Sequence, residues 1–303
     1  MNNTVLLPDG IKIGHAQNDY TGVTCILTDY AVGGVSVRGG APGTRETDML
    51  RAEKSQGFVN AVVLSGGSAY GLETACGVMD YLRENNVGFK AGDKVVPLVA
   101  QAILFDLNTP GEYHYPDKNM GYTAAKCATA DNIAFGNVGA GKGATVGKIL
   151  GAMGACKGGI GAATCKFGDV FVTAVIAVNA LGDVCDHATG KILAGARLPN
   201  GEFLNTMQAL TNGTLEQIMR MQAGTNTTIG CVMTNAKLDK VQVNKLAAVA
   251  HDGLAMSIRP VHTDADGDTL FALSKGDKTA DVNIIMALAV EATARAVENA
   301  VRL

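Results

Sequence analysis

Two adjacent hydroxyl residues, Thr227 and Thr228, lie in the run Gly224-Thr225-Asn226-Thr227-Thr228-Ile229-Gly230. Upstream, Gly213 to Met221 reads as a short helix. Downstream, Ile229, Cys231 and Met233 alternate with Gly230, Val232 and Thr234, which is the period of a strand. A threonine at the head of such a strand becomes a nucleophile if the bond before it is cut, because the freed α-amino group then serves as its built-in general base. Taken alone, the heptapeptide favours a turn running into a Thr-rich strand. The sharper reading needs partners elsewhere in the chain.

Other candidate sites mostly fail their own chemical tests. The stretch from Gly136 to Lys148 is glycine-rich, but Gly141 to Gly147 is one residue too long for a phosphate loop. Ile149 also follows Lys148, where a Ser or Thr would hold magnesium. Gly139-x-Gly141-x-x-Ala144 fits a relaxed dinucleotide fingerprint, yet no strand with a ribose-binding acid follows it. What remains is a glycine-lined loop that lets backbone and Lys148 approach a small substrate. Asp264-Ala265-Asp266-Gly267-Asp268 begins like a calcium loop, but Thr269 stands where the glycine belongs and no later Glu completes it. Three acids at alternate positions are costly unless hydrated or paired. Besides a solvated turn, they therefore suggest a carboxylate pair that orients and polarises a nucleophile. The five histidines share no ligand spacing, so no metal and no other cofactor is expected. His262 lies near the acidic turn, where it could support those carboxylates; His251 reads as a packed or exposed helix residue. Ser65-Gly66-Gly67-Ser68-Ala69-Tyr70-Gly71 misses the register of a nucleophile elbow and reads as a glycine turn with Ser68 capping the next helix.

These residues need a scaffold, and the patterning predicts one. Short strands are expected at Ile11 to Gly14, Thr21 to Thr28, Val35 to Arg38 and Ala61 to Leu64. An amphipathic helix follows over Ser68 to Arg83, then a buried strand over Lys94 to Leu107 and a helix over Asn119 to Ala128. Further strands fall at Val170 to Val178 and Gly182 to Asp186. The last quarter alternates: the Thr227 strand, a helix from Leu238 to Ile258 stopped before Pro260, a strand at Asp268 to Ser274, and an Ala-rich helix from Asp281 to Leu303. One α/β domain over residues 1–303 is the economical reading. With 47% hydrophobic residues the chain can bury a substantial core. A net charge of −3 without basic clusters argues against nucleic-acid or anionic-membrane partners. Seven cysteines without a C-x-x-C pair suggest reduced thiols and a cytoplasmic location. No signal peptide or membrane-spanning apolar run is evident, which empties the glycosylation match at Asn226-Thr227-Thr228 of meaning.

Five segments together resemble one family. They are Gly39-Gly40-Ala41-Pro42-Gly43-Thr44-Arg45-Glu46-Thr47-Asp48, Leu64-Ser65-Gly66-Gly67-Ser68-Ala69-Tyr70-Gly71-Leu72, Tyr115-Pro116-Asp117-Lys118, Asn226-Thr227-Thr228-Ile229, and Pro260-Val261-His262-Thr263 leading into Asp266-Gly267-Asp268-Thr269. In order and spacing they are similar to the self-processing aminopeptidase/D-esterase peptidases of the DmpA type, and within them to the branch that includes the nylon-oligomer (aminohexanoate) hydrolases. The resemblance implies a four-layer αββα sandwich like that of N-terminal nucleophile hydrolases. It also implies an inactive precursor that cuts itself between Asn226 and Thr227, giving an α chain 1–226 and a β chain 227–303. The site residues it carries over are Lys148, Asn179, Thr227, Asp266 and Asp268, with Tyr115 on the substrate side. The chain departs from the DmpA branch, which has a Ser nucleophile and Ser-x-Glu in place of Asp266-Gly267-Asp268, so that branch's substrate preference does not transfer.

The implied chemistry is coherent. Thr227 Oγ would attack the Asn226 carbonyl, water would hydrolyse the resulting ester, and the freed amine, with a reference pKa of about 7.7–8.0, would suit a base at neutral pH. Asp266 and Asp268 would hold and tune it, Lys148 would stabilise nearby charge, and the Asn179 amide would donate to the oxyanion. Small amide, peptide or β-peptide-like substrates follow, with a homo-oligomer of processed units. Two competitors stand beside this reading. One is acyl transfer to an amine, as in ornithine acetyltransferases, whose cleavage motif Thr227-Thr228 matches only in part. The other is a glycine-loop binding protein that never processes.

Overall fold

A computed structural model of the protein describes residues 5–212 and 225–302. The helix expected over Gly213 to Met221, and Gly224 of the heptapeptide, lie outside the described residues. The main strands are β1 (Lys12–Gln17), β2 (Gly22–Val37), β3 (Phe58–Ser65), β4 (Val99–Ile103), β5 (Gly159–Phe167), β6 (Val170–Asn179), β7 (Thr227–Ala236) and β8 (Thr269–Lys278). They pair in the order β5-β6-β7-β8-β2-β3-β4, with Thr44–Arg45 beyond β4 and β1 alongside β2. β2 belongs to both ends of this ladder: its first half pairs with β1 and β3, its second half with β8. The register breaks between Leu27 and Ala31, and there the ladder folds into two facing sheets.

Side-chain alternation then sorts the apolar residues into three layers. On the outside of the first sheet, Val23, Cys25, Ala61 and Val63 meet Ala75, Val78 and Leu82 of α1 (Thr74–Glu84) and Ala124 of α2 (Lys118–Lys126). Between the sheets, Ile26, Val62 and Leu64 pack with Val175, Ile229, Met233 and Phe271. On the far side, Ile176, Val178, Val232 and Leu270 meet Leu246 and Leu254 of α3 (Lys240–Ser257) and Ile285 and Val297 of α4 (Val282–Asn299). The result is a four-layer αββα sandwich, as expected.

Local departures have physical causes. The two strands expected at Thr21 to Thr28 and Val35 to Arg38 are one, because Gly33 and Gly34 mark close packing rather than a turn. A Cβ on Gly34 would lie 2.7 Å from backbone atoms of Val243 and Asn244 in α3. Within Lys94 to Leu107 only β4 is a core strand; Lys94–Val96 forms an exposed hairpin with Phe89–Ala91. Ser68 does not cap α1. It opens a 3₁₀ turn, Ser68–Glu73, with its own φ at 53° and without a side-chain cap. Ser65 Oγ and Gln101 Nε2 hold that turn instead, both donating to the Gly71 carbonyl.

Strand directions bring three ends together. β6 runs antiparallel to β7, so its last residue, Asn179, pairs with the first, Thr227. β7 runs parallel to β8, joined through α3, so the residues entering β8 lie beside those entering β7, and Asn226 bridges Asp266.

Candidate active site

Each residue at this meeting point is buried: Thr227, Asn226, Asn179, Asp266, Asp268 and Lys148 are all under a tenth exposed. Thr227 Oγ1 donates to its own preceding carbonyl, that of Asn226. The same oxygen accepts from the Gly267 N–H at 3.0 Å. One residue upstream, the Thr225 carbonyl accepts from Lys148 Nζ at 2.8 Å and from Asn179 Nδ2 at 3.4 Å. Asn179 is itself fixed: its Nδ2 donates to the Phe105 carbonyl at 2.8 Å, and its Oδ1 accepts from the Thr145 N–H at 3.0 Å. The Thr225-Asn226 backbone thus presents two consecutive carbonyls to donors around the Thr227 hydroxyl.

The acidic pair is divided in its contacts. Asp268 Oδ1 accepts from the Thr228 N–H at 2.6 Å, and its Oδ2 from the His262 N–H at 3.1 Å with His262 Nδ1 at 2.8 Å. Asp266 Oδ2 accepts from the N–H and hydroxyl of Thr263, at 2.8 and 2.6 Å. Burial first, and the Asp268 charge second, push Asp266 up to about 6. Lys148 moves the other way. Burial lowers it to about 7, opposed by the charges of Asp266, Asp106 and Asp268. A buried lysine among three carboxylates that still titrates near neutrality can exchange protons, besides stabilising charge.

Glycine is required between the two acids: a Cβ on Gly267 would lie 2.7 Å from Thr227 Oγ1 and 2.8 Å from the Ala41 carbonyl oxygen. Beside Lys148 and Thr225 opens a recess of about 390 Å³ whose walls include Phe105, Ala152 and Ala155. Tyr115 is 38% exposed and stacks on Tyr70 at 4.9 Å, a surface pair rather than a member of the hydrogen-bonded cluster. Two groups were absent from the sequence reading. Gly267 contributes a backbone donor, which no side-chain pattern reveals. Asp106 is a buried carboxyl that accepts from the Gly67 N–H at 2.6 Å and is pushed up to about 6 by burial. The signal for Asp106 was present: it is a lone acid inside Ile103-Leu104-Phe105-Asp106-Leu107.

The four-layer αββα sandwich is similar to the fold of N-terminal nucleophile hydrolases, and here it buries the Thr227 hydroxyl at the head of a central strand. The chain belongs to peptidase family S58, which it matches over residues 8–303, and is a peptidase or amidohydrolase. It is 40% identical to an uncharacterized aminopeptidase of Mycobacterium tuberculosis over 293 residues, covering 90% of this chain and 82% of the relative. It is 32% identical to a 6-aminohexanoate-oligomer endohydrolase of a Kocuria strain over 268 residues, covering 88% and 73%. Among solved structures it is similar in fold to the L-aminopeptidase D-Ala-esterase/amidase of Ochrobactrum anthropi, with a TM-score of 0.70 at 16% identity over 99% of this chain and 87% of the other. A Burkholderia β-aminopeptidase gives 0.69 at 20% identity over 99% and 88%.

Proposed function

We propose that the protein cuts its own chain between Asn226 and Thr227 and then hydrolyses small amides with Thr227 as nucleophile. The observation that carries this reading is the Thr227 hydroxyl resting on the Asn226 carbonyl while Gly267 donates to the same oxygen. Attack by Oγ on that carbonyl carbon gives a tetrahedral adduct whose oxyanion stays on the Gly267 N–H. The hydroxyl proton passes to a neighbouring base, for which Lys148 is suited by its lowered pKa. The C–N bond then breaks, the Thr227 nitrogen takes a proton, and an ester remains. Water hydrolyses the ester, leaving the Asn226 carboxylate and a free Thr227 amine.

Once residues 225–226 withdraw, their donors are released for substrate. The Gly267 N–H and Asn179 Nδ2 can receive the oxyanion of a substrate amide, and the recess beside Lys148 can receive its acyl side. The α-amine accepts the Oγ proton and returns it to the leaving amine, and water clears the acyl-enzyme. Asn226 adds a reason for the tail to leave. Among the described residues neither polar atom of its buried amide has a hydrogen-bond partner, a state that costs roughly 1–3 kcal/mol. The names of the relatives support peptide amino-termini and ω-amino-acid oligoamides as substrates.

Intact-mass measurement tests the proposal. The expected result is two fragments, 1–226 and 227–303, and a single inert chain for Thr227→Ala. A wild-type chain that stays whole on long incubation and leaves an amide panel untouched would overturn it.

A further inference from the structure

Asp268 is held from behind by two imidazoles for which the chemistry above has no use. Its Oδ2 lies 2.8 Å from His262 Nδ1, His262 Nε2 lies 3.3 Å from His251 Nδ1, and His251 Nε2 lies 3.0 Å from the Ser36 carbonyl oxygen. A carbonyl only accepts, so the proton of that last contact sits on His251 Nε2. His251 is wholly buried, and burial lowers it to about 4, so the ring is neutral near pH 7. Its Nδ1 is then a bare acceptor, and the proton between the two rings must sit on His262 Nε2. On the other side stands a carboxylate that already accepts two backbone N–H groups, from Thr228 and His262. A carboxylate oxygen, like a carbonyl, only accepts. The proton shared with Asp268 therefore sits on His262 Nδ1. His262 adopts a left-handed backbone with φ at 60°, uncommon outside glycine, and that turn aims its N–H and its ring at one oxygen.

We propose that His262 is a positioning residue for the nucleophile: protonated on both ring nitrogens and wedged between His251 and Asp268, it fixes Asp268 as an anion against the Thr228 N–H. This rests on the reading of Thr227 as the nucleophile. The charges that face the pair are Asp268, Asp266 and Lys148 on the site side. On the helix side they are Arg38, close to His251, and its partner Asp252 at 3.6 Å. Loss of the His262 cation would leave the Asp268 charge uncompensated, and proton binding would tighten at both Asp266 and Lys148. Whichever of the two governs self-cleavage, its acid limb moves to higher pH.

Ring-¹⁵N spectra of Thr227→Ala protein, whose junction is intact, read the protonation directly. Two protonated nitrogens on His262 and one on His251 near neutral pH are expected; a neutral His262 would overturn the proposal. Failure of the Thr227 reading shows separately, as cleavage of that same variant. In a second arm, His262→Gln keeps a hydrogen-bonding side chain without the charge. Its self-cleavage limb should shift up by about one pH unit, roughly tenfold slower on the acid side, with the alkaline plateau nearly kept. An equal loss at every pH with an unmoved midpoint would mark a purely structural histidine and overturn the proposal. If His262→Gln fails to fold, the spectra decide.

Discussion

At the scale of single residues the site makes distinguishable demands. Lys148, lowered to about 7 by burial, is largely charged below neutrality and largely neutral above it, and Asp266, raised to about 6, is deprotonated over the same interval. Self-cleavage timed by gel or mass spectrometry should therefore accelerate as pH rises from about 6 to about 8. A flat profile would remove both groups from proton transfer. Lys148→Arg keeps the charge but cannot shed a proton, so it should be as defective as Lys148→Met. An active Arg variant would reduce Lys148 to a fixed charge. Gly267→Ala places a methyl 2.7 Å from Thr227 Oγ1, and should stop processing while far-ultraviolet circular dichroism stays native. Asn179→Ala, introduced into processed enzyme, should lower kcat by roughly 10²–10³, the cost of losing one oxyanion donor.

At the scale of elements, positions are set by close backbone approach as much as by apolar burial. α4 lies on β5 so tightly that a Cβ on Gly161 would sit 2.1 Å from the Ala296 carbonyl oxygen and 2.4 Å from the Ala300 nitrogen. Gly161→Ala should therefore destabilise by about 1–3 kcal/mol or more, read as a lower denaturant midpoint with an unchanged slope. The same property decides what the sequence could reveal. The helices α1, α3 and α4 were legible from their apolar and Ala-rich spacing, and β6 and β7 as short apolar runs whose two faces both lie in the core. β2 was misread as two strands because Asp29 and Tyr30 are exposed at its bulge and because Gly33 and Gly34 look like a turn until α3 is laid across them. Similarly, the cluster of Thr227, Asn179, Lys148, Asp266 and Asp268 was named through family resemblance, whereas the strand directions that assemble it come only from the fold. Gly267 and the His251–His262 contact were invisible because backbone donors and ring orientations leave no mark in residue spacing.

At the scale of the molecule, a cut at Thr227 falls inside the second sheet rather than in an outlying loop. The segment after the cut supplies β7, α3, β8 and α4, and β7 lies between β6 and β8 while β8 lies between β7 and β2. Ladder pairing joins the two sides of the cut from Asn179–Thr227 to Val172–Thr234, and again from Val37–Thr269 to Val32–Ser274. The apolar layers cross it as well: Ile229, Met233 and Phe271 pack between the sheets with Ile26 and Val62, and Ile285 and Val297 with Ile176 and Val178. Neither fragment can bury its half of these layers alone, so cleavage should release only the residues next to the junction. Processed protein is accordingly expected to elute as one species under native conditions and to unfold in one cooperative transition. It should separate into 1–226 and 227–303 only in denaturant. Residues 227–303 produced alone should lack a cooperative transition. If they fold alone, or if the fragments part on a native sizing column, the two-sheet packing does not hold the cut chain together, and a stable N-terminal threonine would need some other support.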